Sequence, residues 1–257
     1  MRAWIAVVVV GLTASTARAD HHEMMMDDGS GATPPPFDAS VSLVAASYST
    51  ISYVGDYQGA LASLMWRYDR YMFGAGLGMY HINLNGLDQH GISDVMVHAA
   101  TTLVHQGELS AGFVAMVSAP TGDDRFGLGM GHVMAMPSFY GVWSHARITV
   151  SVTAGYSRAL AHMEAGHDHG VWPLIEPMNM SEISWGTACE LALAAGMRVG
   201  VRASGGHPFD LPGHERVYGA ARVGWGTRRV DTSAELQTGF VGDPFNVRGL
   251  VETALHF

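Results

Sequence analysis

From Phe37 onward, apolar and polar positions alternate with period two, most cleanly between Arg147 and Tyr156. There Arg147, Thr149, Ser151 and Thr153 fall on one face, and Ile148, Val150, Val152, Ala154 and Tyr156 on the other. That is the periodicity of a strand. Ile, Val and Thr at this density also disfavour a helix, because their branched side chains lose rotational freedom there. The pattern recurs where Val95, Val97 and Leu103 oppose Asp94, His98 and Thr102. It returns where Met197, Val199 and Val201 oppose Arg198 and Arg202, and where Ala234, Leu236 and Phe240 oppose Glu235 and Gln237.

Strands are predicted near 38–50, 58–68, 71–85, 92–104, 107–118, 134–144, 146–160, 182–194, 196–204, 216–227, 230–241 and 246–257. The links between them alternate in length. Asp69 with Arg70, His105 with Gln106, His145, Ala195, and Arg228 with Arg229 make tight turns, whereas 119–133, 161–181 and 205–215 are long. One amphipathic strand fits a soluble sandwich and a membrane barrel alike. Strict parity of short turns and long loops fits an outer-membrane barrel, with periplasmic turns, extracellular loops and an even strand number. The expected fold is therefore all-β: a transmembrane antiparallel up-and-down β-barrel of about 12 strands. Pro137 falls inside the sixth predicted strand and removes a ladder donor, so that strand is expected to begin after it or to bulge.

Aromatic positions sharpen the membrane assignment. Trp66, Tyr68, Tyr71, Phe73, Trp143, Trp225 and Phe257 lie near the short turns and predict one interfacial girdle; Tyr48, Tyr80, Tyr156 and Phe240 predict a looser second one. Before the strands, residues 1–19 have the charged start, apolar run and Ala17-Arg18-Ala19 cleavage site of a secretory signal peptide. Residues 20–36 form a His-, Met- and Pro-rich arm with too little apolar surface to bury a core, leaving 37–257 as the barrel. Export through a cleaved signal to the bacterial outer membrane follows as an expectation. Hydrophobic residues make up 48% of the chain, yet no segment after the signal reaches the roughly 18 uninterrupted apolar residues of a membrane helix. A net charge of -9 argues against nucleic acid as partner, and the single Cys189 excludes an internal disulfide.

Two local patterns resemble known families. In the last strand Val247, Val251, Thr253, Leu255 and Phe257 alternate with Arg248, Glu252 and His256. This resembles the terminal-strand insertion signal of bacterial outer-membrane barrels, and implies lipid and the barrel-assembly machinery as partners. Ser118-Ala119-Pro120-Thr121-Gly122-Asp123, followed by Gly127-Leu128-Gly129, is similar to the Pro-Thr-Gly segment of a transporter-like outer-membrane family named for the MetA pathway of phenol degradation. That resemblance implies a channel-like protein without a defined substrate.

The inward faces of the predicted strands carry Arg67, Arg147, Arg198, Arg202, Arg222 and Arg248 against Asp94, Glu108, Glu182, Glu190, Glu235 and Glu252. Such charges are expected either to pair into a plug or to line a hydrated pore. Glycines at 74, 76, 78, 112, 200 and 224 leave room at the wall, which favours an opening or strong coiling. Fourteen His and 16 Met concentrate in the arm, the loops and the loop margins. His21, His22, Met24, Met25 and Met26 lie in the arm; His162, Met163, His167, His169, Met178, Met180, His207 and His214 lie in long loops. His90, Met130, His132, Met134 and Met136 are placed in earlier loops. Imidazole with thioether fits copper best, with zinc as alternative, so these are the candidate metal ligands. No stretch fixes a complete ligand set or requires a cofactor.

The function these residues favour is a channel, or a transport-associated barrel, for small solutes or metal ions. A non-porous surface barrel that binds metal or a partner through its loops is the alternative. A barrel-embedded lipid hydrolase is a third, disfavoured because His98 and Asp94 point inward and Ser144-His145 sits at a turn, so no nucleophile meets an oriented base. No catalytic role is expected.

Overall fold

A computed structural model describes residues 35–49, 54–160, 179–209, 215–242 and 245–257. The signal and nearly all of the arm lie outside the described residues. The first five strands are β1 Phe37–Ser49, β2 Val54–Tyr68, β3 Tyr71–Leu84, β4 Leu87–Ile92 and β5 Val95–Gln106. They are followed by β6 Leu109–Ala119, β7 Met134–His145, β8 Ile148–Ala159 and β9 Ser181–Ala192. The last four are β10 Met197–Pro208, β11 Arg216–Gly226, β12 Val230–Val241 and β13 Val247–His256.

Every pairing is antiparallel. β2 joins both β1 and β3, and β1 joins β13, so the sheet closes on itself. Closure satisfies both edges, which lipid would leave without partners. β4 and β5 share one stave: β4 pairs with residues 79–84 of β3 and β5 with residues 71–76. The barrel therefore has 12 staves. The sequence reading missed the hairpin that makes β4, which turns on Asn85 and Gly86, both at positive φ. That is the two-residue turn whose twist matches paired strands.

Burial is inverted relative to a soluble sandwich. Leu64 is 65% and Val201 62% exposed on the outer face, whereas Arg248 and Glu182 are each 2% exposed inside. Lipid accepts the outer surface, and mutual pairing accommodates the inner one. At the short-turn end Trp66 stacks on Phe73 at 5.7 Å and on Tyr68 at 5.9 Å, and exposed Tyr71, Trp143 and Trp225 extend the girdle. Tyr48 and Tyr80 are not in a second girdle; both are buried, pointing inward. Tyr156 does lie near the long-loop end, where it meets Phe209 at 5.9 Å.

The seam between the ends of the barrel is closed by backbone bonds exchanged between Phe37 and Phe257 at 3.1 and 2.9 Å, with their rings stacked. Pro137 neither delays nor bulges β7. It sits mid-strand facing outward, and the pairing to β8 lapses at 136 and 137 and then resumes in unchanged register. Several tight turns move by one or two residues, so that His105 and His145 are strand residues while Gly107, Glu108, Ala146 and Arg147 turn.

Candidate functional site

The lumen has two chemically different walls. Along β9 to β13 and β1 runs a ladder of ion pairs and amide bridges. At the long-loop end Arg216 Nη2 meets Glu182 Oε1 at 2.5 Å, and Asn179 donates to the other Glu182 oxygen at 2.7 Å. Midway, Arg202 pairs with Glu235 at 3.2 Å, Gln237 donates to Glu235, and Arg248 Nε donates to Gln237 at 2.7 Å. Arg248 also donates to the Tyr57 hydroxyl and lies 4.0 Å from the Phe245 ring centroid. Lower down, Arg198 meets Asp231 at 2.6 Å, and both Arg198 and Arg222 approach Glu190. At the short-turn end Asp38 is shared by Arg67 and by His256 Nδ1.

Of the charges expected inside, Arg67, Asp94, Glu182, Glu190, Arg198, Arg202, Arg222, Glu235, Arg248 and Glu252 face the interior. Arg147 and Glu108 do not. Both are exposed in turns at the short-turn rim, where the strand parity that assigned them inward no longer applies. Glu108 there accepts from Trp143 Nε1 at 3.2 Å and contacts His145 Nδ1 at 2.5 Å. Asp38, Asp231, Arg216, Gln237 and Tyr57 were missed by sequence reasoning. Their inward parity was visible, but their partners are set by register across strands far apart in sequence.

The opposite wall, β2 to β7, is apolar and sulfur-rich. Met72, Ala100, Val114, Tyr140 and Val142 form one buried cluster against Met65. Nearer the long loops, Val44, Tyr48, Tyr57, Leu61, Tyr80, Ile82 and Leu84 form another, completed by Tyr218, Phe245 and Leu128. Most of the wall glycines do not leave open space. A Cβ at Gly74 would meet the His98 ring, at Gly112 the Tyr140 ring, at Gly200 the Glu190 side chain and at Gly224 the Arg198 guanidinium. Each of these four receives a neighbouring side chain, whereas a Cβ at Gly76 would meet only ordinary contacts at 3.4 and 3.5 Å.

Leu128 reaches the interior because the loop between β6 and β7 folds inward. The fourth stave breaks at Ser93 and Asp94, and the Pro-Thr-Gly segment fastens onto the break. Thr121 Oγ1 donates to Ser93 O at 3.1 Å and accepts from Val95 N at 2.8 Å. Asp94, 7% exposed, accepts from Gly122 N at 2.9 Å and Met130 N at 2.8 Å. Gly122 and Gly129 are required by close approach: added Cβ atoms would lie 2.5 Å from Leu128 O and 2.4 Å from Asp94 Oδ1. Between them the 3-10 turn Asp124–Phe126 is capped by Asp123, whose carboxylate is held below its ordinary pKa chiefly by the Arg125 guanidinium.

Most of the predicted metal ligands fall outside the described residues. His21, His22, Met24, Met25, Met26, His162, Met163, His167, His169, Met178 and His214 lie outside them. Met180 is exposed, and His207 is an exposed β10 residue, not a loop residue, 3.7 Å from Glu215. Among the described residues no three His, Cys, Asp or Glu side chains are grouped to hold a metal. Met134 and Met136 belong to β7, and with Met130 and His132 they are buried inside the barrel; His90 belongs to β4. Ser144 Oγ meets Thr149 Oγ1 at 3.0 Å while His145 faces Glu108.

No family model and no curated protein matches the chain. Solved structures do match. The COG4313 outer membrane channel from Pseudomonas putida F1 superposes with a TM-score of 0.66 at 11% identity, covering 90% of this chain and 98% of that one. The fold is that of outer-membrane β-barrels. The KdgM porin (TM-score 0.54, 8% identity, 86% and 99% covered) and the NanC porin (0.53, 8%, 86% and 98%) share it.

Proposed function

We propose that this protein is an outer-membrane channel for small solutes, narrowed by the β6–β7 loop that Asp94 holds inside the lumen. That inward loop is the observation that carries the proposal. A barrel that served only as a surface anchor would have no need of a buried carboxylate holding two loop amides across its interior. The likeness to channel and porin barrels supports the same function. The Pro-Thr-Gly resemblance to the MetA-pathway family adds to it, since that segment forms the clasp. Lipid is the partner of the outer face, and the barrel-assembly machinery is the proposed partner of β13. Metal ions, copper above zinc, are the narrower proposal for the cargo.

One observation favours the non-porous alternative: the apolar cluster around Leu128 fills part of the long-loop end. Single-channel recording in planar bilayers separates the two. The wild type is expected to conduct in small steps, and Asp94→Ala, which leaves the Gly122 and Met130 amides without their acceptor, in larger ones. No conductance from either protein would overturn the channel function.

A further inference from the structure

Register places sulfur and imidazole at one height of the apolar wall. His98 on β5 stands opposite Met116 on β6, which stands opposite Met136 on β7, all on the inward face. Directly opposed side chains on such strands start about 5 Å apart. Met130, His132 and Met134 continue the alternation of Met136 upward into the inward loop, and all four are buried at 6% exposure or less. Packing alone accounts for the methionines but not for His98. Burying an imidazole in an apolar wall costs free energy unless a partner takes up its nitrogens. His98 Nε2 is shielded and has no hydrogen-bond partner, its ring lying over Gly74.

We propose that Met116 and Met136, with His98, form a lumenal site for a soft monovalent cation, Cu(I), bound as cargo. Thioether and neutral imidazole are the donors Cu(I) prefers, and a donor set without carboxylate disfavours hard divalent ions. Asp94, four residues before His98, is already occupied by the loop amides. Turning the His98 ring off Gly74 brings Nε2 toward Met116. No redox step is involved, because the ion enters and leaves in one oxidation state. The inference builds on the channel function proposed above.

Ag(I), a redox-inert substitute, is titrated calorimetrically into the purified full-length barrel in potassium nitrate, since chloride would precipitate it. The wild type is expected to bind Ag(I) and to show reduced single-channel current with it. Met116→Leu/Met136→Leu conserves volume and is expected to keep its conductance while losing Ag(I) affinity about tenfold or more. A variant with His21, His22, Met24, Met25 and Met26 all changed to Ala is expected to retain the tight lumenal binding. Equal affinity in the Leu variant, or loss only in the arm variant, would overturn the lumenal site. Conductance without any Ag(I) effect would sink the site and leave the channel standing; Ag(I) binding without conductance would do the reverse.

Discussion

At the scale of single residues, the interior is held by groups whose partners are as buried as they are. Glu182 and Arg216 show the consequence most sharply, being 2% and 7% exposed and packed over Gly206, where a Cβ would lie 2.8 Å from Glu182. Removing one member leaves the other charge without compensation. Arg216→Ala is therefore expected to cost about 3–5 kcal/mol in urea unfolding from lipid vesicles. The double change Glu182→Gln/Arg216→Met removes both charges and is expected to recover most of that loss. If the double variant were as unstable as the single one, the pair would matter for its shape and not its charge. The wall glycines follow the same logic of fit: Gly112→Ala would drive a methyl to 2.3 Å from the Tyr140 hydroxyl oxygen.

At the scale of elements, the break in the fourth stave and the inward loop are one unit, because Thr121 satisfies backbone groups on both sides of the break. Thr121→Val keeps the shape and removes both bonds, a loss of about 0.5–1.5 kcal/mol per bond for groups that are exposed or only partly buried. Trypsin reads this directly, since Arg125 is 75% exposed on that loop. Cleavage after Arg125 is expected to quicken about tenfold for each 1.4 kcal/mol lost in Thr121→Val. Thr121→Ser, which keeps the hydroxyl, is expected to cleave at the wild-type rate. Most of these elements were legible in the sequence, because period-two alternation records which side of a strand meets lipid. What was illegible came from contacts between distant segments. Asn85-Gly86 is a strong hairpin signal, yet β4 read as loop because its polar Asp88, Gln89 and His90 hide the alternation. The two-residue spacing of Met134 and Met136 marked one face of β7, and the loop-like composition that runs on through Met130 and His132 obscured it. The clasp on Asp94 could not be read, since a lone inward carboxylate gives no sign of which amides it will accept from.

At the scale of the whole molecule, the inverted polarity means that the solvent of the outer face is lipid. That makes the cost of an outward charge depend on its depth. Val201 lies near the middle of β10 and Val54 at the long-loop end of β2, and both are exposed, at 62% and 58%. In water the two positions would tolerate arginine equally, since an exposed valine has little to lose. In a bilayer Val201→Arg is expected to cost about 2–4 kcal/mol and Val54→Arg about 0–1 kcal/mol. Urea titrations of the two variants in vesicles measure the difference. The same pair in detergent micelles, which deform around a guanidinium, is expected to show a smaller gap. Equal costs in vesicles would mean that the band through Val201 is not embedded, and that its exposed apolar surface is covered by something other than lipid.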